Sequence, residues 1–581
     1  MKDNEFDTDV LVIGSGPMGA TTALALATYG VRIRMVNRYN WTANTPRAHI
    51  TNQRAVEVLR DLGVEQDALR ECTQWGWMGD TLFTTSLAGP EIARLRTWGT
   101  GEERIGDYLQ ASPCPMIDLP QHKMEPLLVR NAAARGAELC FNTEYLTHTQ
   151  DAQGVTVALR DVANGREYTV RAKYLVGADG AKSKVLEDAG LQVEGQLARA
   201  ATCYVLFKAD LARYAAHRPS ILYWIVTSDT RFGEIGMGLL RAIEPWNLWI
   251  AGWGVDMSKG EPGITDEEVL GKVRLLVGDP ELQIDVENVS MWYVNQAVAP
   301  VYGHQRVLCG GDAVHRHPPS SGLGSNTCMQ DAFNLAWKLA YVVKDHAGAA
   351  LLDSYSLERA PVGAQIVARA NQSRVDYAPL NRCFRDKDAS DPVASGLRKL
   401  ADPGPEGVAR RAALVDALQL KNYEFNAEGV EMNQRYESAA VIADDGEETW
   451  KRDPQLYAQA TTRPGAKLPH AWLVGTDGRR ISTLDLVGHG RFTLVTGMAG
   501  TAWAEAVSQL ALPFLDVLVV GQAGAQDLYC NWARLREVDE GGAILVRPDA
   551  YVAWRRHAAV HDAADARRLL TEALEQLLAK A

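Results

Sequence analysis

Glycines at 14, 16 and 19 set the spacing G-x-G-x-x-G within DTDVLVIGSGPMGATTALALATYGVRIRMVNR. The residue types suit a pyrophosphate. Gly14 permits a tight turn, Gly16 lets the backbone approach the phosphates, and Gly19 lets a helix pack close to the strand. A helix starting there presents free N–H groups and a partial positive charge. The second strand of such a unit usually ends in an acid that holds a ribose, whereas this chain has Asn37 followed by Arg38. An Asn amide hydrogen-bonds a ribose hydroxyl without charge assistance, and an Arg suits a 2′-phosphate. These residues alone leave FAD and NADP open.

Two later stretches favour the longer cofactor. RAKYLVGADGAKSKVLEDAG carries a strand to the pair Asp179–Gly180, and RVLCGGDAVHRHPPSSGLGSN carries another to Gly311–Asp312. A nicotinamide nucleotide at the first loop needs no strand-end aspartate three hundred residues away, but a dinucleotide stretched across the domain does. Asp312 can accept from ribityl hydroxyls. The loop behind it, through Gly322, Leu323 and Gly324, can turn N–H groups toward the pyrimidine edge of a flavin, and the next helix points its positive end the same way. Asn326 or Thr327 is expected to cap that helix. Met329, Phe333, Ala336, Ala340 and Val343 follow helical spacing.

The elements that position these groups must fill 581 residues, more than one core holds, so two to four units are expected. A net charge of -12 argues against nucleic acid or an anionic membrane as the main partner. Eight cysteines form no C-x-x-C and no zinc spacing with His, so neither a disulfide framework nor a metal site is expected. A polar N-terminus leading straight into a strand, with no apolar run of spanning length, reads as a cytoplasmic protein.

The three motifs in this order, with TPRAHITNQRAVEVLRDLG, SPCPMIDLPQ and TRPGAKLPHAWL, resemble the single-component flavoprotein aromatic hydroxylases. These have the p-hydroxybenzoate and phenol hydroxylase fold, and the chlorophenol and 2-hydroxybiphenyl hydroxylases are the most similar branch. The resemblance implies an α/β protein with a Rossmann-type FAD-binding domain (1–189 and 301–395). A nested mixed β-sheet substrate domain (190–300), a helical linker region (396–454) and a C-terminal thioredoxin-like α/β domain (455–581) complete it. The last lacks C-x-x-C, so thiol redox chemistry is not expected there.

The implied chemistry begins with reduction of FAD by NADPH or NADH. Uptake of O2 as a flavin C4a-hydroperoxide then leads to transfer of its terminal oxygen to a phenolic ring, ortho to the hydroxyl by expectation. His49 is the leading candidate to take the phenol proton, with Asp118 as its orienter or proton exit and a carboxylate nearby to raise its basicity. Arg47 and Gln121 match positions that hold FAD, and Asp179–Gly180 one that touches both FAD and the reductant. Trp224 and Pro319 are placed beside the substrate, and His315 and His317 are read as structural. A homo-oligomer is expected. The alternatives are the same chemistry on a larger phenolic or hydroxypyridine natural product, or a flavin-dependent dehydrogenase or redox scaffold. A halogenase is disfavoured because its local lysine and paired-tryptophan motif is absent.

Overall fold

The structure is a computed structural model that describes residues 6–197, 200–230, 235–259 and 264–580. Its first sheet centres on Thr8–Ile13, parallel to Ile33–Val36 on one side and Glu167–Gly177 on the other. Val307–Cys309 adds in parallel beyond Glu167–Gly177. Val10, Leu11, Val12, Leu175, Val176 and Val307 are fully buried, as expected of parallel strands covered on both faces. The register sets Ile13 opposite Gly177 and Gly177 opposite Cys309. Three motifs far apart in sequence therefore leave the sheet at one edge, the carboxyl end of parallel strands, where open α/β sheets bind ligands. Helices Pro17–Thr28 and Gly324–Val343 pack against each other over this sheet.

The second sheet has seven strands, in the order Asp285–Tyr293, Ala201–Lys208, Leu248–Val255, Gly238–Glu244, Leu222–Ile225, Asp80–Thr84 and Glu91–Arg96. The last two come from the stretch assigned above wholly to the FAD-binding domain. Asp80–Thr84 joins through a parallel pairing with Leu222–Ile225, a contact of long sequence separation that leaves no local signal. The division at 395/396 also falls inside a helix, Pro392–Ala401.

Helices occupy most of 353–432. At the C-terminus, Phe492–Gly497 runs parallel to Leu515–Val520 and antiparallel to Ala543–Val546, which pairs with Val552–Arg556. Helices Thr501–Leu510 and Ala563–Leu577 pack together beside this sheet. The unit is joined to the first domain by a common core. Trp337 of the long helix meets Phe492 edge-on, with ring centroids 5.8 Å apart, and Arg547 reaches the buried Glu358 at 2.6 Å. No described helix is long and apolar enough to cross a membrane.

Candidate active site

Gly14 has φ +105°, and a Cβ there would lie 2.2 Å from the Ala178 carbonyl oxygen; one on Gly19 would lie 1.9 Å from the Gly14 oxygen. Both glycines are demanded by the fold itself. Gly16 is different, because a Cβ there meets nothing closer than Glu125 Oε1 at 3.9 Å and borders open space. That space is a 910 Å³ cavity running from Gly14–Met18 past Asn37, Asp179 and Gly180 to Asp312 and His317. Its length, its glycine cradle and the helix N-termini beside it fit FAD.

The strand-end polar groups divide the work differently from expectation. Asn37 donates its amide protons to Ser15 Oγ (2.7 Å) and the Trp41 carbonyl (3.1 Å), and its Oδ1 takes the Tyr39 N–H at 3.5 Å, so one lone pair of Oδ1 is what remains for a ribose. Arg38 lies 4.7 Å over the Tyr39 ring at the cavity rim. The Asp179 carboxylate caps a helix, accepting from Ser183 Oγ and from the N–H groups of Lys184 (2.8 Å) and Val185 (3.1 Å). The side chain of Asp312 has a single long contact among the described residues, 3.9 Å to Cys328 Sγ, and so remains able to accept. Gln121 takes the Ala48 N–H at 3.3 Å and donates to Glu125, tying the Arg47 segment to its helix.

Neither Asn326 nor Thr327 caps the long helix. It begins at Gly324 after Leu323 with no side-chain cap, so its first N–H groups are left for a ligand. Asn326 sits within the first turn, donating to the carbonyls of Ile50 (2.8 Å) and Gly322 (2.6 Å) and accepting from Asn52 N (2.9 Å). It clamps the flavin loop to the His49 segment rather than facing the cofactor. His315 is held at 2.8 Å by the buried Asp331, which also accepts from Gly311 N (3.1 Å) and Arg359 (2.7 Å), a structural role as expected. His317 donates Nδ1–H to the Pro318 carbonyl at 2.7 Å, and burial lowers its pKa to about 4, so it is neutral.

A second cavity, of 160 Å³, lies under the seven-stranded sheet. It shares Arg47, His49, Ile50, Trp292, Pro319 and Gly322 with the first, so the two cavities adjoin at these residues. Trp224 and Pro319, both expected beside substrate, border it. A two-residue ladder places the proton-handling candidates together: Ile50 pairs with Asp118, and Leu119 N donates to the His49 carbonyl at 2.6 Å.

His49 Nδ1 is 3.8 Å from Asp118 Oδ1. Asp118 is ion-paired instead with Arg241, a residue the sequence reading passed over. The one signal was a lone arginine in the otherwise apolar run GLLRAI; in the structure Arg241 falls on the cavity side with Leu239 while Leu240 faces the core. The expectation that a carboxylate raises the basicity of His49 is not met. Burial first, then the positive charge of Arg241, pushes the imidazole well below its usual range. Burial raises Asp118 despite Arg241, and lowers Arg241 itself to about 10 against the pull of Asp118.

Residues 7–370 match the FAD binding domain family, and residues 461–581 match the C-terminal domain of aromatic-ring hydroxylases. The chain belongs to the FAD-dependent aromatic-ring hydroxylases. It is 48% identical over 565 residues to a 2,4-dichlorophenol 6-monooxygenase of Cupriavidus pinatubonensis, covering 96% of this chain and 94% of the relative. It is 45% identical to a phenol 2-monooxygenase of a Pseudomonas species, covering 96% and 91%. Among solved structures, the flavin-dependent monooxygenase PieE in complex with FAD and substrate superposes with a TM-score of 0.93 at 42% identity, over 99% of both chains. As a hydroxylase of this family, the protein uses FAD, and the glycine cradle described above fits it.

Proposed function

We propose that this hydroxylase inserts one oxygen atom of O2 into a phenolic ring, ortho to the hydroxyl, with NADPH or NADH as reductant. The carrying observation is that the two cavities meet at His49, beside the buried Asp118–Arg241 pair. Bound FAD supplies acceptance of a hydride from the nicotinamide and activation of O2. Asp312 would hold the ribityl chain, and the N–H groups of the Gly322–Gly324 loop and the helix behind it would stabilise negative charge at the pyrimidine edge.

His49 takes the phenol proton at Nε2, with the neutral ring carrying its hydrogen on Nδ1 toward Asp118. A lasting imidazolium is disfavoured beside Arg241. The proton therefore passes from Nδ1 to Asp118, whose raised pKa suits it to receive one. Once Asp118 holds the proton, the Arg241 charge balances the phenolate and the site stays neutral overall, and Trp224 and Tyr204 line the cavity around it. The identities to chlorophenol and phenol monooxygenases support the substrate class.

The test is NADPH- and NADH-driven O2 uptake by holoenzyme with phenol and 2,4-dichlorophenol, with products identified by mass. A catechol formed in step with reductant consumption is expected. No phenol-dependent uptake, or a dehydrogenated product carrying no added oxygen, would overturn the reading.

A further inference from the structure

The floor of the substrate cavity is built in rows across the seven-stranded sheet. Ser290, Tyr204, Gly252, Leu239 and Trp224 stand in direct register on successive strands, and all border the cavity. The neighbouring row passes through Ile250 to Arg241, which is two strand residues, about 7 Å, from Leu239. The first row therefore lies one side-chain step from the proton-handling end and bounds the space left for the rest of the substrate ring.

One position in that row has no side chain. A Cβ on Gly252 would lie 2.8 Å from Tyr204 Cε1, 3.0 Å from its Cδ1 and 3.1 Å from Leu239 Cγ. Packed carbon atoms sit about 3.5–4.0 Å apart. The Tyr204 ring thus reaches over the glycine into the room that a side chain would take, and glycine inside a strand marks such a close approach. Trp292, which borders both cavities, meets the same ring at 82° with centroids 6.0 Å apart. The ring is therefore seated low on the sheet, with Trp292 against it on the side shared with the FAD cavity.

An apolar cavity of about 150 Å³ takes one benzene ring. This one measures 160 Å³ with Tyr204 seated in that way. We infer that the Tyr204–Gly252 pair is the size filter of the active site: it admits a phenol of one ring with small substituents and excludes a phenol fused to a second ring. This rests on the phenol reading above and narrows it. Removing the Tyr204 ring opens the floor beside Gly252 to a second ring. Adding a methyl group at Gly252 pushes the Tyr204 ring up into the cavity, because the side chain yields more readily than the strand.

The probes are matched pairs: 3,4-dimethylphenol against 2-naphthol, and 2,3-dimethylphenol against 1-naphthol. Within each pair the same two ring positions are substituted, and the naphthol closes a second ring over them. Dissociation constants come from titrating the flavin absorbance of holoenzyme. Wild type should bind each dimethylphenol at least about five-fold tighter than its naphthol, the low end of what overfilling a packed site costs. Tyr204→Ala should lower that ratio by about five-fold or more in at least one pair. Tyr204→Phe should keep both ratios, which separates the ring from its hydroxyl. Gly252→Ala should weaken 3,4-dimethylphenol more than phenol. Flavin absorbance before titration reports that each variant has folded. Three results would each overturn the inference while leaving phenol hydroxylation standing: a naphthol bound by wild type as tightly as its partner, both ratios unchanged in Tyr204→Ala, or Tyr204→Phe behaving as Tyr204→Ala does. If no phenol perturbs the flavin of wild type, the phenol reading falls and this inference falls with it.

Discussion

His49 Nδ1 faces Asp118 Oδ1 across 3.8 Å, and neither atom has a hydrogen-bond partner among the described residues. The gap is too long for a hydrogen bond. One water or a small ring movement closes it. Asp118 is buried, the His49 side chain is partly exposed at 18%, and the charge that Asp118 feels is set chiefly by Arg241. The three residues therefore act as one electrostatic unit.

That unit predicts a double-mutant cycle. Arg241→Gln leaves Asp118 buried without its partner, and Asp118→Asn leaves Arg241 so. Each single change should cost about 3–5 kcal/mol of stability, whereas the double variant should cost clearly less than their sum. Denaturant unfolding of the four proteins at neutral pH checks this; additive losses would mean that the pair is not coupled.

Cofactor binding and folding separate at the glycine loop. Gly16→Ala should leave the melting temperature of FAD-free protein nearly unchanged, because its Cβ meets only open cavity. It should sharply weaken FAD binding. Gly14→Ala should destabilise even FAD-free protein, since its Cβ strikes the Ala178 carbonyl from a φ of +105°. Thermal melts with and without FAD separate the two effects.

The two strand-end aspartates should also differ. Asp312→Ala removes a carboxylate able to make a charge-assisted bond of ~1.5–3 kcal/mol, a rise of about ten- to 150-fold in the FAD dissociation constant. Asp179→Ala removes a helix cap and should weaken FAD binding less while lowering thermal stability. Fluorescence titration of FAD-free variants gives both constants; a larger loss in Asp179→Ala would reverse the assignment.

How much of this was legible in sequence follows from range. The glycine loop, Asp179 and Asp312 were readable because each sits at the end of a local strand–turn–helix pattern. Their convergence was inferable only from the size of the ligand they imply. Asp80–Thr84 escaped because it finds its partner some 140 residues later, at Leu222–Ile225. Asn326 looked like a cap because caps precede helices, but the helix starts two residues earlier and its amide is spent on the Ile50 segment. His49 was found through resemblance, and its depressed basicity was invisible because the cause, Arg241, reaches it from another sheet.

Glu428 predicts a pH dependence of stability. Burial raises its pKa from 4.5 to about 7, with the Ala458 N–H and Arg104 opposing. A folded value above the unfolded one stabilises fully below pH 4.5, and that stability is lost as pH rises through 7. Glu428→Gln should therefore be more stable than wild type at pH 8, by at most about 3 kcal/mol, and show no such gain at pH 4. Melts across this window test it; a variant less stable at pH 8 would mean that the Arg104 ion pair outweighs the burial.

The most direct test of the central claim, that His49 relays the phenol proton during oxygen transfer, is the ratio of hydroxylated product to reductant consumed by His49→Ala as a function of pH. The variant should keep FAD and keep consuming NADPH or NADH at neutral pH. Product should fall by about 10²–10⁴-fold and hydrogen peroxide should appear in its place. Raising the pH toward the phenol's own pKa should restore the ratio, earliest for the most acidic phenols. A ratio equal to wild type at neutral pH would contradict the account and move proton removal to Asp118 without His49.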